Sequence, residues 1–149
     1  MKIDGKHYRT IWIDPQRANV VQVIDQRLLP FEFKIMDLKT VDDFAYAIKE
    51  MVVRGAGLIG ATAAYGMYSA ALNAPRHDRA AFLASVRADG DKLTATRPTA
   101  VNLAWAVERL WTAMHGEYVG SDETGNRYYR SKPGARPGPN GYQRRMVIY

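Results

Sequence analysis

The chain has 149 residues, no cysteine and a formal net charge of +6. A domain of this size can build its own core without staples, and zero cysteines exclude disulfides, zinc–thiolate centres, iron–sulfur clusters and a thiol nucleophile among these residues. No apolar run reaches the roughly 18 residues of a membrane span, and the amino-terminal MKIDGKHYRT has no apolar core of a secretory signal, so the expected setting is cytoplasmic.

In chain order, Tyr8–Asp14 alternates β-branched and aromatic residues and predicts a strand. A turn at Pro15–Asn19 leads into a second strand, Val20–Asp25, its hairpin partner, and Phe31–Leu38 predicts a third. The period then becomes helical. Thr40 is a natural N-cap, with Asp42 and Asp43 in the first turn where the helix dipole favours negative charge. An apolar stripe of Val41, Phe44, Ile48, Met51 and Val52 carries this helix to Val53.

Leu58–Leu72 is apolar nearly all round and rich in small residues, which predicts a close-packed central helix. Gly60 and Gly66 cost that helix about 1 kcal/mol each against alanine, and close approach of a backbone or ligand would explain them. Asp78 caps a third helix through about Ala95. Pro98-Thr99 opens a fourth, with Val101, Trp105, Leu110 and Met114 spaced for a core face. The expected class is therefore α+β: a small antiparallel three-stranded sheet (8–38), about four helices (41–114), then an extended or disordered Gly/Pro/Tyr-rich tail.

Composition sets the tail apart. Residues 115–149 hold six of the twelve glycines and five of the nine tyrosines, and SKPGARPGPNG at 131–141 interrupts the backbone at almost every step. Domains of 1–112 and 113–149 are the expected division. The tail's charge and tyrosines fit RNA stacking in principle, but no folded nucleic-acid module is recognisable, so nucleic acid is not an expected partner.

Two short loops carry the candidate chemistry. Arg54-Gly55-Ala56-Gly57 stands at the start of the central helix, where unpaired N–H groups and the positive dipole end favour an anion. Arg97-Pro98-Thr99 repeats the ingredients before the fourth helix. Spacing alone leaves a second reading open, because both arginines also follow helix C-termini, where a cation is welcome. His7, His77 and His115 lack metal-ligand spacing, and no metal, cofactor or catalytic residue is expected.

Tyr8-Arg9-Thr10-Ile11-Trp12, Ile24-Asp25-Gln26-Arg27-Leu28-Leu29-Pro30, Met51–Ala56, Ile59–Gly66 and Ala95–Leu103 occur in this order. Over about residues 2–110 they resemble the N-terminal domain of the methylthioribose-1-phosphate isomerase family of methionine salvage, which is related to regulatory subunits of a translation-initiation exchange factor. The resemblance implies that Arg54, Gly55, Ala56 and Arg97 bind a phosphorylated sugar. It also implies that the catalytic cysteine and aspartate belong to a C-terminal Rossmann-like domain, so these 149 residues are expected to be inactive alone. The family usually has proline where this chain has Gly57.

The tail is similar to a small accessory subunit of respiratory complex I, over His115–Glu123, Gly125–Lys132 and Arg144–Tyr149, with Met146 in place of that family's tryptophan. This implies docking on complex I as an alternative function. A third reading, a regulatory or homodimerising module, follows from the translation-factor relatives. The chain thus reads as two family fragments joined near Trp111.

Overall fold

The structure is a computed structural model that describes residues 2–3, 5–130 and 145–148. It is α+β. A short ribbon pairs β1 (Lys2–Ile3) with β2 (Lys6–His7). A three-stranded antiparallel sheet then runs in the order β3 (Ile11–Ile13), β4 (Val21–Ile24), β5 (Ile35–Leu38). The expected three strands are present but shorter at their ends.

The central strand β4 buries Val21 and Val23 on one face, where Leu38 on β5 joins them, and Ile24 at its end on the other. The other face carries a polar row beside Ile24 and Ile35: Trp12 Nε1 donates to Gln22 Oε1 at 2.9 Å, and Gln22 Nε2 donates to Asp37 Oδ1 at 2.9 Å. The Val21 face is apolar throughout, and the polar row lies on the opposite face.

Four helices follow: α1 (Val41–Lys49), α2 (Ala56–Asn73), α3 (Arg79–Thr96) and α4 (Val101–His115). Thr40 caps α1 in a capping box, accepting from Asp43 N at 3.3 Å while Asp43 Oδ2 accepts from Thr40 N at 2.9 Å. Asp78 caps α3 by accepting from the N–H groups of Ala80 and Ala81. Phe44 and Ile48 of α1, Ala63, Met67 and Ala70 of α2, and Val86 and Leu93 of α3 form the helical core.

The helical glycines sit where backbones and side chains press close. A Cβ on Gly60 would stand 3.1 Å from the Asn102 carbonyl oxygen, a backbone contact with α4. One on Gly66 would stand 2.9 Å from Leu93 Cδ1, a side-chain contact with α3.

Two features of the helices depart from expectation. α1 ends at Lys49 rather than Val53, because Met51 adopts φ 59°, which no α-helix accommodates. Val52 and Val53 still bury completely, but from the loop. In α4 the core face is Leu103, Ala106 and Val107, while Val101 is 78% and Trp105 57% exposed. The helix also begins at Val101 rather than Pro98, which belongs to the turn before it.

The chain divides into two compact units, Met1–Val107 and Glu108–Tyr149. In the second, β6 (Glu117–Ser121), β7 (Arg127–Arg130) and β8 (Arg145–Ile148) form an antiparallel sheet in that order. The tail's strands are extended as expected, and they pair. Arg130 donates from Nε and Nη2 to the two Glu117 oxygens, each at 2.9 Å, across the β6–β7 pair. The 131–141 stretch lies outside the described residues. No helix among the described residues is long and apolar enough to cross a membrane.

Asp25, buried at the end of β4, carries a pH prediction. Arg27 donates to its carboxylate from Nε at 2.9 Å and from Nη2 at 2.7 Å, and Arg27 N adds a bond at 3.0 Å. These bonds hold the Asp25 carboxyl below the usual carboxylate range despite burial. A depressed folded-state pKa contributes stability above the unfolded value of about 3.9 and loses it as pH falls through the folded value. Asp25→Asn is expected to lower the urea midpoint at pH 7 and to flatten the further loss below about pH 4. Parallel acid profiles for the two proteins would contradict this.

Candidate functional site

The site is built from three loops. The β4–β5 loop starts at Asp25, the α1–α2 loop spans Glu50–Gly55, and the α3–α4 loop starts at Arg97. Burial of Val52 and Val53 anchors the second loop from below. Backbone bonds fix it from the sides: Val53 N donates to Ala47 O at 3.2 Å, and Gln26 N donates to Val52 O at 2.9 Å. Arg54 N then donates to Gln26 Oε1 at 2.9 Å. The arginine backbone is held, and its side chain is exposed.

Gly55 follows as the N-cap of α2, with φ 87° and ψ 139°. L-residues avoid that region, so glycine is required there. A glycine cap brings no side-chain acceptor, and none bonds this helix start. The first bond of α2 is Ile59 N to Gly55 O at 3.0 Å. The N–H groups of Ala56, Gly57 and Leu58 therefore precede the intrahelical ladder, and the first turn has no acidic residue. An anion placed there meets exposed donors and the positive dipole end.

Arg97 is the C-cap of α3 and is half-buried. Its Nη1 lies 3.9 Å from Met51 Sδ. That contact lays the Arg97 side chain against the loop that carries Arg54. Beside them a groove of about 540 Å³ runs between α2 and α4, lined by Gly57, Gly60, Ala61, Ala64, Val101, Asn102, Trp105 and Ala106. Trp105 and Val101, expected in the core, are walls of this groove.

Sequence reasoning gives Gln26 no role and puts Met51 in the apolar stripe of α1, whereas both belong to this loop's surroundings. A signal existed: Gln26 falls in the Ile24–Pro30 stretch that carries the family resemblance. Met51 likewise opens the Met51–Ala56 stretch of that resemblance, but its positive φ of 59° is not written in the residue type. Among the described residues no cluster of three His, Cys, Asp or Glu side chains could hold a metal.

Gly57 lies at the second position of α2, with open space where a Cβ would stand. Its N–H is not needed by the helix. Gly57→Pro is expected to raise stability by about 0.4–1 kcal/mol through a stiffer unfolded chain. A fall in Tm on thermal denaturation would show that Ala56 cannot tolerate the following proline ring.

Comparisons with known proteins identify the family. Residues 52–131 match the model of the Initiation factor 2 subunit family. A methylthioribose-1-phosphate isomerase of Rhodospirillum centenum is 53% identical over 110 residues, covering 74% of this chain and 28% of that protein. One from Methylobacterium nodulans is 54% identical over the same shares. The crystal structure of 5-methylthioribose 1-phosphate isomerase from Pyrococcus horikoshii superposes with TM-score 0.67 and 40% identity, over 72% of this chain and 30% of that one. The translation initiation factor eIF-2B subunit delta from A. fulgidus gives 0.65 and 34%, over the same shares. The likeness to methylthioribose-1-phosphate isomerase expected from the motifs is thus found, and this chain spans under a third of those relatives' length. The chain belongs to the Initiation factor 2 subunit family.

Proposed function

We propose that residues up to about 110 are a sugar-phosphate-binding domain of the methylthioribose-1-phosphate isomerase type. In this reading Arg54 and Arg97 hold the phosphate by charge-assisted bonds, while Gly55 and Ala56 let it approach the start of α2. The observation that carries it is the contact of Arg97 with Met51, which sets the second arginine against the glycine-capped loop of the first. The alternative for the arginines, simple cations at helix C-termini, explains Arg97 but not the uncapped start of α2. The ligand class follows from the relatives' names: methylthioribose 1-phosphate, a phosphorylated sugar.

Binding and turnover separate here. Aldose–ketose isomerisation shifts a hydrogen between two adjacent carbons and needs a placed acid/base pair. The loops around Arg54 and Arg97 offer guanidinium and backbone N–H groups, which orient a phosphate but do not relay a proton. The expected result for the purified 149-residue chain is a saturable heat of binding with methylthioribose 1-phosphate and no ketose product. Turnover would overturn the inactive reading, and a flat calorimetric trace would overturn the binding one. No observation on β6, β7 or β8 favours the complex I reading.

A further inference from the structure

We propose that Gln26 is the positioning residue of the Arg54 loop, a role that rests on the sugar-phosphate reading only for its purpose. Gln26 grips the loop at two points: its N–H donates to Val52 O, and its side-chain Oε1 accepts from Arg54 N, both at 2.9 Å. These bonds flank Val53, whose own N–H reaches back to α1. The three residues before Gly55 are therefore tied to two different elements.

Gln26 is itself held in place. The preceding Asp25 is buried and its N–H donates to Lys34 O at 2.9 Å. The following Arg27 is clamped to Asp25 and reaches Tyr46 Oη on α1 at 3.3 Å. The end of the central strand β4 thus extends a rigid arm whose tip is the Gln26 carboxamide. An amide suits that tip: it accepts the Arg54 N–H as a carboxylate would, without adding a negative charge beside an anion site. A group supported in this way fixes the loop backbone from which a phosphate-binding side chain projects.

The test reads the loop before it reads the ligand. In the full chain, Gln26→Leu removes the acceptor, and hydrogen exchange of the Arg54 amide is expected to rise about tenfold or more while core amides such as Leu38 keep their protection. Gln26→Glu keeps the acceptor and should leave Arg54 exchange near wild type. Affinity for methylthioribose 1-phosphate should fall about three- to tenfold in Gln26→Leu, and also fall in Gln26→Glu, there in a manner that added salt suppresses. Unchanged Arg54 exchange in Gln26→Leu, or a rise shared by the whole core, overturns the positioning role. If exchange behaves as expected but the wild-type chain binds no methylthioribose 1-phosphate, the positioning role stands and the sugar-phosphate reading fails.

Discussion

Arg97→Ala is expected to weaken binding of methylthioribose 1-phosphate by about 10- to 100-fold, the loss of a hydrogen-bonded charge pair of roughly 1.5–3 kcal/mol. The double variant Arg54→Ala/Arg97→Ala should fall further, below calorimetric detection. Arg97 also closes α3 and touches Met51, so its removal must be separated from a folding defect. Arg97→Lys serves this end. It keeps the charge at the helix C-terminus but loses the planar fork that grips a phosphate at two oxygens. Its Tm should stay close to wild type while its affinity drops. An isotherm for Arg97→Ala that overlays the wild type would remove the anion site altogether.

The second large effect is structural. Phe44→Ala is expected to cost about 3–5 kcal/mol, since it empties a fully buried aromatic site. Phe44 is 1% exposed, and its Cβ stands 3.3 Å from where a Gly66 Cβ would be, so α1 meets α2 there at close range. Neighbours already in contact can collapse little into the vacated space. A single domain has about 5–15 kcal/mol of stability in total, and the variant would be near its threshold at room temperature. Urea denaturation followed by circular dichroism measures this. A loss under about 1 kcal/mol would mean that the three-helix junction repacks.

The contrast between elements shows what a sequence can disclose. Thr40 and Asp78 announced their helices because a cap is a local bond between neighbours in the chain. The central sheet was legible for the same reason, since alternation records one buried face. The core face of α4 is ambiguous at its start because two apolar stripes lie on one helix. Val101 and Trp105 have the spacing of a core, as do Leu103 and Val107, and only the placement of α2 and α3 decides which pair is covered. The end of α1 was misread because Met51 and Val52 continue its apolar period, and the reversal at Met51 is imposed by tertiary burial. The sheet of β6, β7 and β8 was not anticipated: β8 pairs with β7 across an intervening stretch of glycine and proline, a non-local match that periodicity does not encode. At the candidate site, the Arg54 and Arg97 loops were recognisable from residue type and resemblance. The contact between Arg97 and Met51, 46 positions apart, was not.

The composition of α2 has a consequence for how binding should respond to acidity. Its eighteen residues include no carboxylate, ammonium, guanidinium or imidazole. The partial positive charge at its first turn therefore has no counterweight on the helix that could gain or lose a proton between about pH 5 and 8. Across that interval the helix attracts an anion with constant strength. A phosphate monoester, by contrast, changes from one to two negative charges near pH 6. The titration curve of affinity should then be the ester's own, steepening where its second proton leaves.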